Sequence, residues 1–81
     1  MIYNIYNIYI IKGIEFKKES KENKRAVNLC AYYNKETAEY NLCKRLEAHK
    51  GTGHRVQGSR VEDIKGNIVE YKIEKIKFIK K

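Results

Sequence analysis

At 81 residues, 42% of them hydrophobic, and with a formal net charge of +8, the chain has room for one small domain over residues 1–81 and for little core. A domain of this size hides only about 60% of the surface its unfolded chain exposes, which argues against a deep catalytic cleft and for a flat binding surface or an oligomer interface. Two cysteines, with no CxxC between them, exclude a disulfide scaffold.

The chain opens on IYN IYN IYI, a repeat of period three. That matches neither the two-residue period of a half-buried strand nor the 3.6 of a helix. Ile, Lys, Asn, Tyr, Phe and Met fill 42 of the 81 positions and Pro is absent, the mark of AT-rich coding, so the repeat reads as a codon echo. Ile and Tyr are both good strand formers, and a strand is expected over residues 5–18. Ile8, Ile10, Ile14 and Phe16 share one of its faces, and Gly13 marks a bulge. The segment before Lys12 is short, interrupted by Asn4 and Asn7 and preceded by no basic residue, which fits neither a membrane span nor a secretory signal. A cytoplasmic setting, in a cell or an infected host cell, is the expectation.

ESKENK (19–24) is polar throughout and is expected as a loop leading into a second strand, RAVNLCAYY (25–33). Strict alternation there puts Val27, Leu29, Ala31 and Tyr33 on one side, Asn28, Cys30 and Tyr32 on the other. From Asn34 the period lengthens. Asn34 suits a helix N-cap, Glu36 the first turn, and Ala38, Leu42, Leu46 and His49 an inward stripe with Cys43 beside it. Lys50 closes the last turn and Gly51 takes the left-handed cap. HRVQGSRVEDI (54–64) is expected as a third strand in poor phase, with Val56 and Val61 on opposite faces and a bulge at Gly58. A turn at Gly66 and Asn67 then leads to a last strand. There Val69, Tyr71 and Ile73 share a face, and a bulge near Glu74 or Lys75 brings Ile76 and Phe78 into phase.

The order β-β-α-β-β predicts an α+β fold: a small four-stranded, mainly antiparallel sheet with one helix on one face. Val27, Leu29, Val69, Tyr71 and Ile73 would take the helix. The bare face would carry Tyr9, Ile11, Cys30, Tyr32 and Ile68 among polar neighbours.

No motif carries a recognisable chemistry. Cys30, Cys43, His49 and His54 are zinc ligands by type, but C-x12-C-x5-H-x4-H lacks the close cysteine pair of a zinc finger, so no metal and no cofactor is expected. GTGHR (51–55) follows a helix, whereas phosphate cradles precede one. His54, Arg55 and Arg60 supply the residue types of a small toxin-like endoribonuclease, a third reading, without a partner geometry; the chain is expected to be no enzyme.

The charge comes from 14 Lys and 4 Arg against 9 Glu and 1 Asp and points to a polyanion partner. The expected nucleic-acid contacts are Lys17, Lys18, Lys21, Lys24 and Arg25; Arg55 and Arg60; and Lys75, Lys77, Lys80 and Lys81. Tyr9 and Tyr32 would stack bases on the bare sheet face. The alternative is a viral, phage or mobile-element protein that binds and inhibits a host protein such as a defence nuclease. Either way self-association, as a dimer in the simplest case, is expected through the open face or an edge strand.

Overall fold

The computed structural model describes the backbone of residues 4–80 and their side chains except at positions 4, 20–23, 78 and 80. Six elements follow one another: β1 (Asn4–Lys17), β2 (Ser20–Tyr32), α1 (Lys35–Gly51), β3 (Arg55–Gln57), β4 (Arg60–Glu62) and β5 (Asn67–Lys80). The strands form one sheet in the order β2-β1-β5-β4-β3, every neighbouring pair antiparallel. The α+β class with a single helix over an antiparallel sheet therefore holds. The strand count is five, not four.

The extra strand resolves the poor phase of residues 54–64. The chain reverses in mid-segment, so Val56 and Val61, of opposite parity in sequence, lie directly opposite each other on one face. Gly58, at φ +58, opens the two-residue loop with the positive φ that such a hairpin needs at its first position. Asp63 builds the next turn. Its carboxylate accepts from the amides of Lys65 (2.8 Å) and Asn67 (2.9 Å) and from the Asn67 side chain (2.9 Å), while Gly66 takes φ +84. Asn67 is thus the first residue of β5, not part of the turn.

Two more expectations are corrected around β1 and β2. Residues 20–24 are not a loop: β2 starts at Ser20, opposite Lys17, after a turn at Lys18 and Glu19, and the register shifts before Arg25 meets Glu15. The bulge lies in β2, not at Gly13. Ile11 faces Cys30 and Lys12 faces Asn28, leaving Leu29 as the extra residue. An extra residue reverses the alternation beyond it, so Cys30 and Tyr32 join Val27 on one face. Gly13 serves packing instead. A Cβ there would lie 3.2 Å from Val69 and 3.5 Å from both Leu29 and Tyr71.

α1 lies where its signals put it. Asn34 caps it, its Oδ1 accepting from the amides of Glu36 (2.8 Å) and Thr37 (3.3 Å). Its far end runs one step longer than expected: Gly51 is still helical, Thr52 is the cap, and Gly53 takes the left-handed turn at φ +85. Ala38 is fully buried, and Leu42 and Leu46 pack on a core of Ile11, Val61 and Tyr71 with Tyr32, Val56, Val69 and Ile73 around it. Fully burying one such aliphatic side chain is worth about 1.5–3 kcal/mol; Ile68 and Phe16, 1% and 7% exposed, add to this core from the other face.

The faces are the reverse of expectation for β1. Ile11 and Gly13 pair with Ile73 and Tyr71 under the helix, and Tyr9 shares that side through its pairing with Tyr32. Ile8, Ile10, Ile14 and Phe16 lie on the bare side with Ile68. The β1–β5 ladder runs unbroken from Asn4 opposite Lys80 to Lys17 opposite Asn67. No bulge at Glu74 or Lys75 corrects the parity of Ile76: it lies on the bare side, opposite Ile8.

Candidate nucleic-acid interface

The ladder outruns its neighbours. β2 leaves β1 at Tyr9, and β4 leaves β5 at Glu70. Residues 4–8 and 76–80 therefore form a two-stranded ribbon at one end of a molecule 54 Å long and 15 Å thin. The cations expected to bind nucleic acid fall into two groups, one at the ribbon and one at the opposite end of the sheet.

At the end away from the ribbon, basic residues meet acidic ones. Lys18 Nζ lies 3.5 Å from Glu62 and Arg60 Nη1 3.6 Å from Glu70. Arg25 stands opposite Glu15 and Arg55 opposite Glu62. A groove between them is lined by Lys17 and Arg25 but also by Glu15 and Asp63, cations and carboxylates in equal number. Phe16, on the bare face, is only 7% exposed because Lys24 Nζ and Arg60 Cζ sit 5.3 and 5.5 Å from its ring centroid, within cation–π reach. These two cations shield the ring from a stacking base. Lys21 belongs to this end by sequence, and its side chain is outside the described set.

At the ribbon the balance differs. The ribbon and its base, residues 4–12 and 72–80, hold five lysines against one glutamate, net +4 of the chain's +8. That glutamate, Glu74, is already engaged by Lys12 at 2.6 Å, and the contact holds its carboxyl below the usual carboxylate range. Lys75 and Lys77 are exposed and stand opposite Tyr9 and Asn7, which carry no charge. Lys80 pairs with Asn4 through the backbone; Lys81 lies outside the described residues.

Tyr9 and Tyr32 are not on the bare face. Both are half-buried on the helix side, where Tyr32 packs against the core. A hydrogen bond with Cys30 and partial burial push the Tyr32 hydroxyl above its ordinary value, with Arg45 opposing. The tyrosine on the bare side of the ribbon is Tyr6, opposite Phe78 and 36% exposed. The bulge at Leu29 inverts the parity of Tyr32, whereas Tyr9 lies on the helix side because β1 turns Ile11 and Gly13, not Ile10 and Ile14, inward.

A polar cluster that the sequence did not announce lies between helix and sheet. Arg45 reaches Cys30 Sγ (3.9 Å) and overlies Tyr71 at 5.9 Å. His49 Nε2 shares a 2.8 Å hydrogen bond with the Tyr71 hydroxyl, and His54 Nδ1 shares one of 2.7 Å with Thr52. The two imidazoles meet edge to face at 5.3 Å. Burial, then the neighbouring His54 and Arg45, hold His49 below the ordinary histidine value. His49 thus spends a nitrogen on holding the end of α1 to β5, and His54 spends one on Thr52 at the helix end itself. His54, Arg55 and Arg60 do not converge: Arg60 points to Phe16 and Glu70 on the bare face, and His54 points to Thr52 beside the helix end. Among the described residues no group of three or more potential metal ligands occurs, and no helix is long and apolar enough to cross a membrane.

Comparison of the chain with protein-family models, with curated proteins and with solved structures finds no match.

Proposed function

We propose that this is a small non-enzymatic nucleic-acid-binding protein whose binding element is the basic β1–β5 ribbon. The observation that carries the reading is the concentration of net +4 over residues 4–12 and 72–80, in the two-stranded ribbon and at its base, set against the ion-paired cations at the other end. Phosphate contacts draw on unpaired cations and on the counterions that they displace. Lys75 and Lys77 meet that requirement, whereas Lys18 and Arg60 have carboxylates beside them. Contacts of this kind position a protein on a polyanion without reading its sequence. The two cysteines are free, in keeping with an intracellular setting.

The test is anisotropy with a generic labelled oligonucleotide, single- and double-stranded, over a salt series. Affinity should fall by orders of magnitude between about 50 and 200 mM salt. The double variant Lys75→Ala/Lys77→Ala should lower the logarithmic salt slope by about 2, roughly one per lysine. Lys18→Ala should change it little, because Lys18 is paired with Glu62. Absence of binding at the lowest salt, or a slope indifferent to the double variant, defeats the proposal.

A further inference from the structure

The two edges of the ribbon are unlike. The outer edge of β5 beyond β4 carries Lys72, Lys75, Lys77 and Lys80, and edge lysines are a standard guard against unwanted strand pairing. The outer edge of β1 beyond β2, Asn-Ile-Tyr-Asn-Ile at 4–8, has no charge, no proline and no bulge. Apolar side chains flank it on both faces: Ile5 and Ile79 are 64% and 62% exposed on one, Ile76 38% on the other. An isolated two-stranded ribbon is marginal in water. Within this segment Asn7 Oδ1 is buried and has no hydrogen-bond partner, a costly state for a polar atom.

From these observations we infer that residues 4–8 pair antiparallel with the same residues of a second copy, about a twofold axis at Tyr6. A twofold axis normal to a sheet keeps each face on its own side, so facing residues must have equal parity. The five-residue segment left free by β2 then has one register that uses all of it: Tyr6 opposite Tyr6, Ile5 opposite Asn7, Asn4 opposite Ile8. A slide of one step towards β2 would set Ile5 opposite Tyr9, whose edge Tyr32 already holds, and a slide the other way would leave Asn7 and Ile8 without partners in the segment. The result is a continuous ten-stranded sheet in which Ile5 gains an apolar floor and Asn7 gains donors from a neighbouring strand.

Charge selects a second copy as the occupant. The least charged edge of a +8 molecule is where two copies can meet. In the order β5-β1-β1-β5 the lysine-bearing strands are three spacings apart, about 14 Å at about 4.8 Å each. The Debye length is about 8 Å at physiological salt, so their repulsion is largely screened. Added salt should therefore strengthen the dimer, the opposite of its effect on nucleic-acid binding, and the two proposals can fail independently.

The experiment is sedimentation velocity on the full chain over a concentration and salt series, with three variants checked for fold by circular dichroism. The wild type should dimerise, more tightly at higher salt. Ile5→Lys/Asn7→Lys, which puts charge on the free edge, should be monomeric, and Ile64→Lys at the fully exposed hairpin tip should behave as wild type. Tyr6→Cys, with Cys30→Ala and Cys43→Ser to remove the native thiols, should give a disulfide-linked dimer under mild oxidation, because the axis passes through position 6. A wild type monomeric at every concentration overturns the inference, as does a dimer that survives both edge lysines or leaves the thiol introduced at position 6 unlinked.

Discussion

The body and the ribbon are made from the same two strands and live under different rules. In the body, Ile11 and Tyr71 are 1% and 6% exposed because α1 lies over them; a few residues along, Ile5 and Ile79 on the same face are bare. Strand propensity does not change along β1, so on this face it is the helix, the second layer, that decides where an apolar side chain is hidden; on the other face Ile68 and Phe16 are hidden at 1% and 7% exposure without it, Phe16 under Lys24 and Arg60. The charge obeys the same division. Where strands are flanked, lysines and arginines acquire carboxylate neighbours; where they are not, lysines accumulate almost alone.

Substitutions along one face sharpen this contrast. Ile11→Ala should lower unfolding stability by about 3 kcal/mol, the usual cost of emptying a buried aliphatic site, whereas Ile79→Ala should stay within about 0.5 kcal/mol. Chemical denaturation of the two variants measures both, and equal losses would break the distinction between body and ribbon. Gly13→Val comes next. Its Cβ would already crowd Val69, Leu29 and Tyr71, and overpacking should cost about 2 kcal/mol despite the better strand propensity of valine. A neutral result would mean that Tyr71 has another place to go.

Asn34→Ala removes the acceptor for two helix amides and should cost about 1 kcal/mol. Asn34→Asp should restore most of that. The smallest effect belongs to the pin between His49 and Tyr71. His49 is held below its ordinary value, so the unfolded chain takes up the proton more readily than the folded one. The contribution is complete above about pH 6.5 and is lost as the pH falls through the lower folded value. Melting temperature should drop from pH 7.5 towards about 5.5, and His49→Gln should flatten the curve in that window. Asp63 and Glu74, both held below the usual carboxylate range, make their own losses only in more acidic solution.

Much of the body was legible where a local signal acted alone. Asn34 and the 3.6-residue stripe located α1, and Ile-rich alternation located β1 and β5. Parity is behind several of the differences. A strand tells its faces apart by counting in twos, and one uncounted residue inverts everything beyond it. Leu29 did this to Tyr32, and no glycine or proline marks the spot. At Gly58 the opposite holds: the broken parity marks a reversal, not the expected bulge, and Gly-Ser between Val56 and Val61 is the available clue. In β5 the change of parity at Ile76 is no bulge: it marks the point where the helix-covered body gives way to the ribbon. For the candidate site, charge could be counted from sequence, but which lysines keep carboxylate neighbours depends on strand order. The Arg45, His49 and Tyr71 cluster was hidden for the same reason, its members coming from neighbouring turns of the helix and a strand some twenty residues later.

The longest ladder in the molecule joins its earliest strand to its latest, pairing residues 50 to 76 positions apart. During translation at roughly 5–20 residues per second, β1 therefore waits for seconds with its main partner unmade. Contacts this distant in sequence are slow to form, and an uncharged isoleucine- and tyrosine-rich strand left waiting is an aggregation hazard. β2, joined to β1 by a two-residue turn, can pair at once and protect residues 9–17. Residues 4–8 have no such early escort and stay uncovered until β5 arrives.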